Sequence, residues 1–222
     1  MTDSLRLWQL ISPTLPVGAY SYSHGLEYAV NEDWVNDSET ALNWIDGVAL
    51  SVIARLELPV AARIYNAWIA EDLEAVRRWN RFVMASRESA ELRAEDRQLG
   101  DAMLKVLPAL GIDRLENIWE AGEPFSHVCV FACACATWRI GREQMARAYL
   151  WTWVENQVAA AVKLVPLGQT AGQRILSQIL ERIPEAVDIG LALEDCSIGA
   201  CAPGLAIASA RHENQYTRLF RS

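Results

Sequence analysis

Residues 143–165, EQMARAYLWTWVENQVAAAVKLV, carry the clearest helical pattern in the chain and decide the fold class. Apolar side chains recur along this segment at three- and four-residue steps, which places them on one face of a helix. Charged side chains recur on the opposite face, as is typical of a helix that packs one side into a core. The core-facing residues are Leu150, Val154, Val158, Ala161, Val162 and Val165, and the solvent-facing ones are Glu143, Arg147, Glu155 and Lys163.

The same helical period continues toward the N-terminus. Asp37 and Ser38 are residues that favour a helix N-cap, and they precede an amphipathic pattern that reaches Pro59. Pro59 predicts either a kink in that helix or the start of the next one. Two further helices are predicted over residues 72–86 and 88–107.

The remaining segments complete an all-helical domain. The apolar residues between 123 and 140 predict a buried central helix, and two shorter helices fit residues 172–182 and 184–193. No run of alternating strand residues with hairpin turns occurs in the sequence. We therefore predict an all-α fold, a single bundle-like domain of about eight to ten helices over residues 1–205, followed by a partner-docking C-terminal tail over residues 206–222.

Composition restricts the classes of partner. The chain has 222 residues, 52% of them apolar, and a net charge of −8, so nucleic acid and anionic membranes are poor partners for it. The first ten residues lack the pattern of a signal peptide. The most apolar window, Val128 to Trp138, is far shorter than the roughly 20 residues of a membrane span. Five cysteines do not form a closed disulfide set, so we expect reduced thiols and a cytoplasmic protein.

Motifs for catalysis or stable metal binding are incomplete. The segment Gly168–Arg174 lacks the lysine of a phosphate-binding loop, and His212–Glu213 lacks the second histidine of a zinc protease, since Tyr216 stands there. Cys196 and Cys201 flank a loop of small residues at a spacing that is not a standard zinc pattern. These observations favour a protein that binds other proteins and catalyses no reaction of its own.

Two segments are not explained by helix formation alone. Residues 12–27 contain two prolines, Gly18 and a series of serines and tyrosines, which indicates a stiff, structured loop. Residues 208–222 end with Leu219 and Phe220 between two arginines, a composition typical of an interface anchor. The alternative, that this tail folds back onto its own domain, remains open at this point.

Four segments, taken together, resemble the UreF family of urease accessory proteins. They are Leu15–Glu27, Glu91–Gly100, Ala160–Gln169 and Arg211–Ser222, and the similarity extends in order over nearly the whole chain. The resemblance implies an all-helical homodimer that binds UreD (also called UreH), recruits the GTPase UreG and serves nickel insertion into apo-urease. It implies no cofactor bound by the chain itself, with nickel in transit through the complex.

The resemblance also implies roles for individual residues. Lys163 matches a basic position associated with modulation of the GTPase. The residues of the N-terminal signature are Pro16, Gly18, Tyr20, Ser21, Ser23, Gly25 and Glu27. The residues of the partner-binding tail are Arg211, His212, Glu213, Gln215, Tyr216, Arg218, Leu219, Phe220 and Arg221.

Two alternatives to a non-enzymatic scaffold stay open. In one, the chain itself carries nickel on Cys196, Cys201 and histidines; a separate hypothesis, attached to the N-terminal signature, is that His24 with Glu27 lines a path for the metal. In the other, Lys163 or an arginine stabilises a transferring phosphoryl group on UreG, an effect that can increase a rate by about 10³–10⁵-fold for an arginine finger.

Overall fold

A computed structural model of the chain describes residues 2–113, 115 and 123–222. All regular structure within these ranges is helical, which confirms the all-α prediction. None of the helices in them is both long enough and apolar enough to cross a membrane. The helices are α1 (Thr2–Leu10), α2 (Leu26–Asn31), α3 (Ser38–Val48), α4 (Leu58–Ile69), α5 (Leu73–Ala85), α6 (Ala90–Val106), α7 (His127–Thr137), α8 (Arg142–Leu164), α9 (Gln169–Leu180), α10 (Ile183–Ala192) and α11 (Pro203–His212).

Helix α7 forms the centre of the core, as its continuous apolar sequence predicts. Its residues from Val128 to Ala136 are all buried. Helices α4, α6 and α8 pack around it, so nearly every side chain of α7 meets another helix. Ser126 caps its N-terminus by accepting a hydrogen bond from the Cys129 N–H at 3.2 Å. The predicted buried central helix is therefore confirmed.

The helix boundaries follow the capping signals in the sequence. The side chain of Asp37 accepts the N–H of Thr40 at 2.8 Å, and the two residues form a capping box at the start of α3. The side chains of Asp72 and Ser89 each accept a backbone N–H at the start of α5 and α6, respectively. The helices predicted over 72–86 and 88–107 are thus confirmed with small differences at their ends.

Pro59 does not interrupt its helix. The chain remains helical from α3 through a π-helical segment (Ala49–Glu57) into α4, and Pro59 lies in the first turn of α4. Proline has no N–H to donate to the carbonyl of Arg55 four residues earlier, and that carbonyl instead accepts the N–H of Gly199 at 3.1 Å. Helix α10 packs closely against this π-helical segment. A Cβ at Gly190 of α10 would lie 2.9 Å from the Ala54 carbonyl oxygen, so glycine at this position permits the close contact.

The predicted tail begins inside a helix. Helix α11 runs across that boundary and packs against α2 and α6, because its small residues allow a close approach. The chain then returns along the domain, and Phe220 and Ser222 are buried. Of the two readings left open by the sequence, the structure shows the tail folded back onto its own domain.

Candidate functional site

The N-terminal signature, residues 12–27, forms a stiff loop that leads into α2. Gly18 and Gly25 both have a φ of 80°, in the left-handed region that favours glycine, and His24 has a φ of 55°. A Cβ at Gly25 would lie 3.3 Å from both Leu205 Cδ1 and the Ser209 nitrogen of α11. Glycine at position 25 therefore supplies the backbone conformation and also the space that α11 occupies.

Glu27 connects this loop to the C-terminal end of the chain. Its carboxylate accepts the backbone N–H of Leu219 at 2.6 Å and that of Phe220 at 2.8 Å. Glu27 lies in the first turn of α2, where the helix dipole favours negative charge. Hydrogen bonds to an ionised acceptor are stronger than those between neutral groups. One buried side chain thus fixes the path of the last residues.

His212 at the end of α11 lies between two carboxylates. Its Nε2 is 3.1 Å from Glu27 Oε2, and its Nδ1 is 2.7 Å from Glu91 Oε2 on α6. Both ring nitrogens are therefore within hydrogen-bond distance of a carboxylate oxygen. The other Glu91 oxygen accepts from Arg218 Nη1 at 2.7 Å. We call Glu27, His212, Glu91 and Arg218 the junction cluster.

The two end segments also pair through backbone groups. The Ser23 N–H donates to the Ser222 carbonyl at 2.7 Å, and the Arg221 N–H donates to the Ser21 carbonyl at 2.8 Å. The hydroxyl of Ser222 donates to Glu95 on α6. His24 Nδ1 lies 3.4 Å from Glu95, and although burial lowers the pKa of His24, the charge of Glu95 and its hydrogen bond raise it overall.

The predicted partner-binding residues divide into two groups. His212 and Phe220 are buried and hold the segment in place, and Gln215 is half-buried. The Leu219 side chain is 67% exposed, and Tyr216 is fully exposed. The other exposed members of the set are Arg211, Glu213, Arg218 and Arg221.

The N-terminal signature divides in the same way. Ser23, His24, Gly25 and Glu27 are buried, Gly18 and Ser21 are half-buried, and Pro16 and Tyr20 are exposed. The buried half contacts the C-terminal segment, and the exposed half faces outward. Both end segments therefore contribute one anchoring part and one accessible part to a common surface.

Lys163 on α8 is exposed, and its ammonium nitrogen lies 5.6 Å from the centre of the Phe220 ring. This distance is within the range of a cation–π interaction. The residue that the family resemblance associates with the GTPase is thus in contact with the C-terminal segment.

The predicted metal-binding residues do not form one site. Cys196 and Cys201 are exposed free thiols in the loop after α10, whereas the Glu27 carboxylate is already bonded to His212 and two backbone amides. Within the described ranges, no three His, Cys, Asp or Glu side chains are grouped so as to hold a metal ion. Cys129, Cys133 and Cys135 are buried in α7, and burial raises the pKa of Cys135 far above the range of a reactive thiol.

Comparison with known proteins identifies the family to which this helical chain belongs. The UreF family model matches residues 35–180, which contain α3 to α9. The chain belongs to the UreF family. A protein from Alkalilimnicola ehrlichii is 48% identical over 98% of this chain and 95% of its own length. Proteins from Teredinibacter turnerae and Azoarcus sp. are each 46% identical over 98% of this chain and 98% and 95% of their own lengths. All three are named urease accessory protein UreF, so the family resemblance is confirmed.

The UreF model match covers the helical body and leaves out both end segments, although the full-length relatives align across nearly the whole chain. The junction cluster joins that body to both ends, because Glu91 lies inside the matched range while Glu27 and His212 lie outside it.

Sequence reasoning missed a second set of buried charges in this UreF chain. Arg87 donates to Glu57 on the π-helical segment and to Asp96 on α6, at 2.5 Å and 3.0 Å, and Tyr149 also donates to Glu57. All four residues, the body cluster, are buried. Burial raises the pKa of Glu57, but Arg87 and Tyr149 outweigh it and the pKa is lowered. The available signal was a lone glutamate in the apolar run from Val52 to Ala62.

Proposed function

We propose that this chain is a non-enzymatic scaffold of urease maturation that binds UreD (UreH) and through it recruits the GTPase UreG for nickel insertion into apo-urease. The observation that carries the proposal is the held C-terminal segment. Glu27 fixes the backbone of Leu219 and Phe220, while the side chains of Tyr216 and Leu219 remain exposed. The family membership supplies the urease context.

Such an arrangement suits a docking surface. A segment that is already ordered loses little conformational entropy when it binds, so more of the contact energy appears as affinity. Tyrosine and arginine are the side chains that most often dominate binding energy, and Tyr216, Arg218 and Arg221 supply them beside an exposed leucine. The surface therefore has both the chemistry and the rigidity of a protein-binding site.

Nickel in this proposal is cargo of the complex. No observation on the described residues favours the alternative in which this chain alone carries the metal, because its exposed thiols and its buried histidines lie in separate environments. In keeping with the family resemblance, we propose that the scaffold works as a cytoplasmic homodimer.

We further propose that Lys163 acts on the GTPase through the C-terminal segment. Its contact with the Phe220 ring favours this reading over direct stabilisation of a transferring phosphate group. In this account Lys163 is a positioning residue, since loss of its charge loosens the surface that partners bind.

Co-purification with a UreD-type protein and a UreG-type GTPase tests the proposal. We expect the wild-type chain to form the ternary complex, and the double variant Tyr216→Ser, Leu219→Ser to lose UreD and, with it, UreG. The matched control is Leu180→Ser, which removes an exposed leucine from α9 and should leave assembly intact. Equal recovery of the complex with the wild type, the double variant and the control would show that the interface lies elsewhere. Failure of the wild type to assemble would reject the scaffold proposal.

A further inference from the structure

A cavity of about 170 Å³ opens between the end of α1, the N-terminal signature loop and α8. Its walls are mainly apolar and include Leu10, Leu15 and Phe131, while Thr152, Glu155 and Asn156 contribute polar atoms from α8. An apolar cavity of about 150 Å³ can hold a benzene ring, so this space accommodates a planar group of similar size. The cavity is separate from the exposed side chains of the C-terminal segment.

Glu155 is the only carboxylate on the described wall, and no lysine or arginine lines the cavity there. Its side chain makes no hydrogen bond or ion pair with the described residues, and burial raises its pKa. A carboxylate that loses water without gaining a partner is unfavourable unless a ligand supplies the missing donor. Glu155 is only half-buried, so this cost is partial, and its carboxylate remains accessible to a donor that enters the cavity.

The other polar groups do not oppose a cation. His127 lines the cavity beside Phe131, their ring centres 6.2 Å apart, and burial lowers the pKa of His127, which keeps the ring neutral near pH 7. Asn156 uses its NH₂ group to bind the Tyr22 carbonyl at 3.0 Å. The exposed ring of Tyr20 stands at the same cavity.

We propose that this cavity receives an arginine side chain of a partner protein. Its planar guanidinium group matches the aromatic and apolar walls, and its N–H groups supply the donors that Glu155 lacks. Arginine fits better than lysine, because a guanidinium is less strongly hydrated than an ammonium and stacks on aromatic faces. An uncharged apolar anchor would leave Glu155 desolvated and unpaired. The cavity adjoins the exposed part of the N-terminal signature at Tyr20, but neither Tyr216 nor Leu219, which the scaffold proposal tests, lines it.

The test uses the isolated full-length chain and a small probe, N-acetyl-arginine N-methylamide, followed by nuclear magnetic resonance of methyl groups. The matched probe is the citrulline analogue, which has nearly the same shape and no charge. We expect saturable shifts at Ala159 and Thr152, with binding about tenfold weaker for citrulline and for Glu155→Gln, as expected for loss of one charged hydrogen-bonded pair.

Two variants complete the design. Ala159→Trp fills the cavity from an exposed position and should abolish the shift at Thr152 without unfolding the chain. Glu143→Gln removes a carboxylate from the same helix outside the cavity and should bind as the wild type does. Shifts scattered over the surface, or equal binding of both probes, would overturn the inference. So would loss of self-association in Ala159→Trp, because the occupant would then be a second copy. No urease partner is needed, so this result is read independently of the scaffold test.

Discussion

The body cluster and the junction cluster both link polar side chains from several elements, but the body cluster is wholly buried whereas the junction cluster reaches the surface at Arg218, and they connect different parts of the chain. In the body cluster, Arg87 bridges Glu57 and Asp96, which both belong to the helical body. In the junction cluster, Glu27 and Glu91 enclose His212, and the bonds extend to backbone amides of the last residues. The first arrangement stabilises the fold, whereas the second holds a segment whose side chains remain exposed. Breaking one should destabilise the domain, and breaking the other should release a surface.

The largest effect is expected from Arg87→Met. The substitution leaves the carboxylates of Glu57 and Asp96 buried without a cation, which typically costs about 3–5 kcal/mol in the free energy of unfolding. Urea unfolding measures this loss of stability. The control Arg147→Met breaks an exposed pair with Glu143 on α8 and should cost only about 0.3–0.5 kcal/mol. Similar midpoints for both variants would show that the body cluster does not stabilise the fold.

Glu27→Gln should have a smaller effect on stability and a large effect on partner binding. The amide retains one acceptor oxygen but no charge, so hydrogen bonds to Leu219, Phe220 and His212 weaken, at a cost of about 1–3 kcal/mol. Thermal unfolding and titration with a UreD-type partner measure the two effects. Glu32→Gln, an exposed glutamate just after α2, is the control. Unchanged affinity in Glu27→Gln would separate the junction cluster from docking.

Lys163→Met tests the contact with the Phe220 ring. Methionine keeps an apolar side chain of similar length and removes the charge, so the expected loss is about 0.5–1 kcal/mol. The effect should appear as faster hydrogen exchange at Phe220 and as altered GTPase activity of an assembled UreG-type partner. Lys105→Met on α6 controls for net charge. A change in GTPase activity with unaltered exchange would contradict action through the C-terminal segment.

The last effect depends on pH and concerns His24. Its pKa in the folded chain is raised above the ordinary value of 6.5, so its contribution is fully present below pH 6.5 and is lost as the pH rises through the folded pKa. His127, whose pKa is lowered, contributes with the opposite sign, and that contribution is complete about one pH unit above 6.5, where the unfolded ring has also lost its proton. The free energy of unfolding should decline between pH 6.5 and 9, by about 1.4 kcal/mol for each unit by which the pKa of His24 is raised. His24→Gln should remove that decline, and persistence of the decline would assign it to another group.

The sequence predicts the helical body well because its signals are local. In α5 and α6, the helical period and a capping residue occur within one segment, and in α8 the long period alone identifies the helix. Helix α11 was missed because its small residues carry little amphipathic pattern and its place depends on contacts with α2 and α6. The site residues of the two ends were found through their family resemblance. Their pairing with Glu91 and Glu95 was not predictable, since it joins residues far apart in sequence, as does the pairing of Glu57 with Arg87.

The central claim is that the C-terminal segment is ordered before any partner arrives. Hydrogen exchange of the free wild-type chain, resolved at the amides of Leu219, Phe220 and Arg221, tests it most directly. These amides donate to Glu27 and to the Ser21 carbonyl, so we predict exchange far slower than in an unstructured peptide, and acceleration at Leu219 and Phe220 in Glu27→Gln. Exchange at the unstructured rate in the wild type, unaffected by Glu27→Gln, would contradict the account and show that the segment folds only when it is bound.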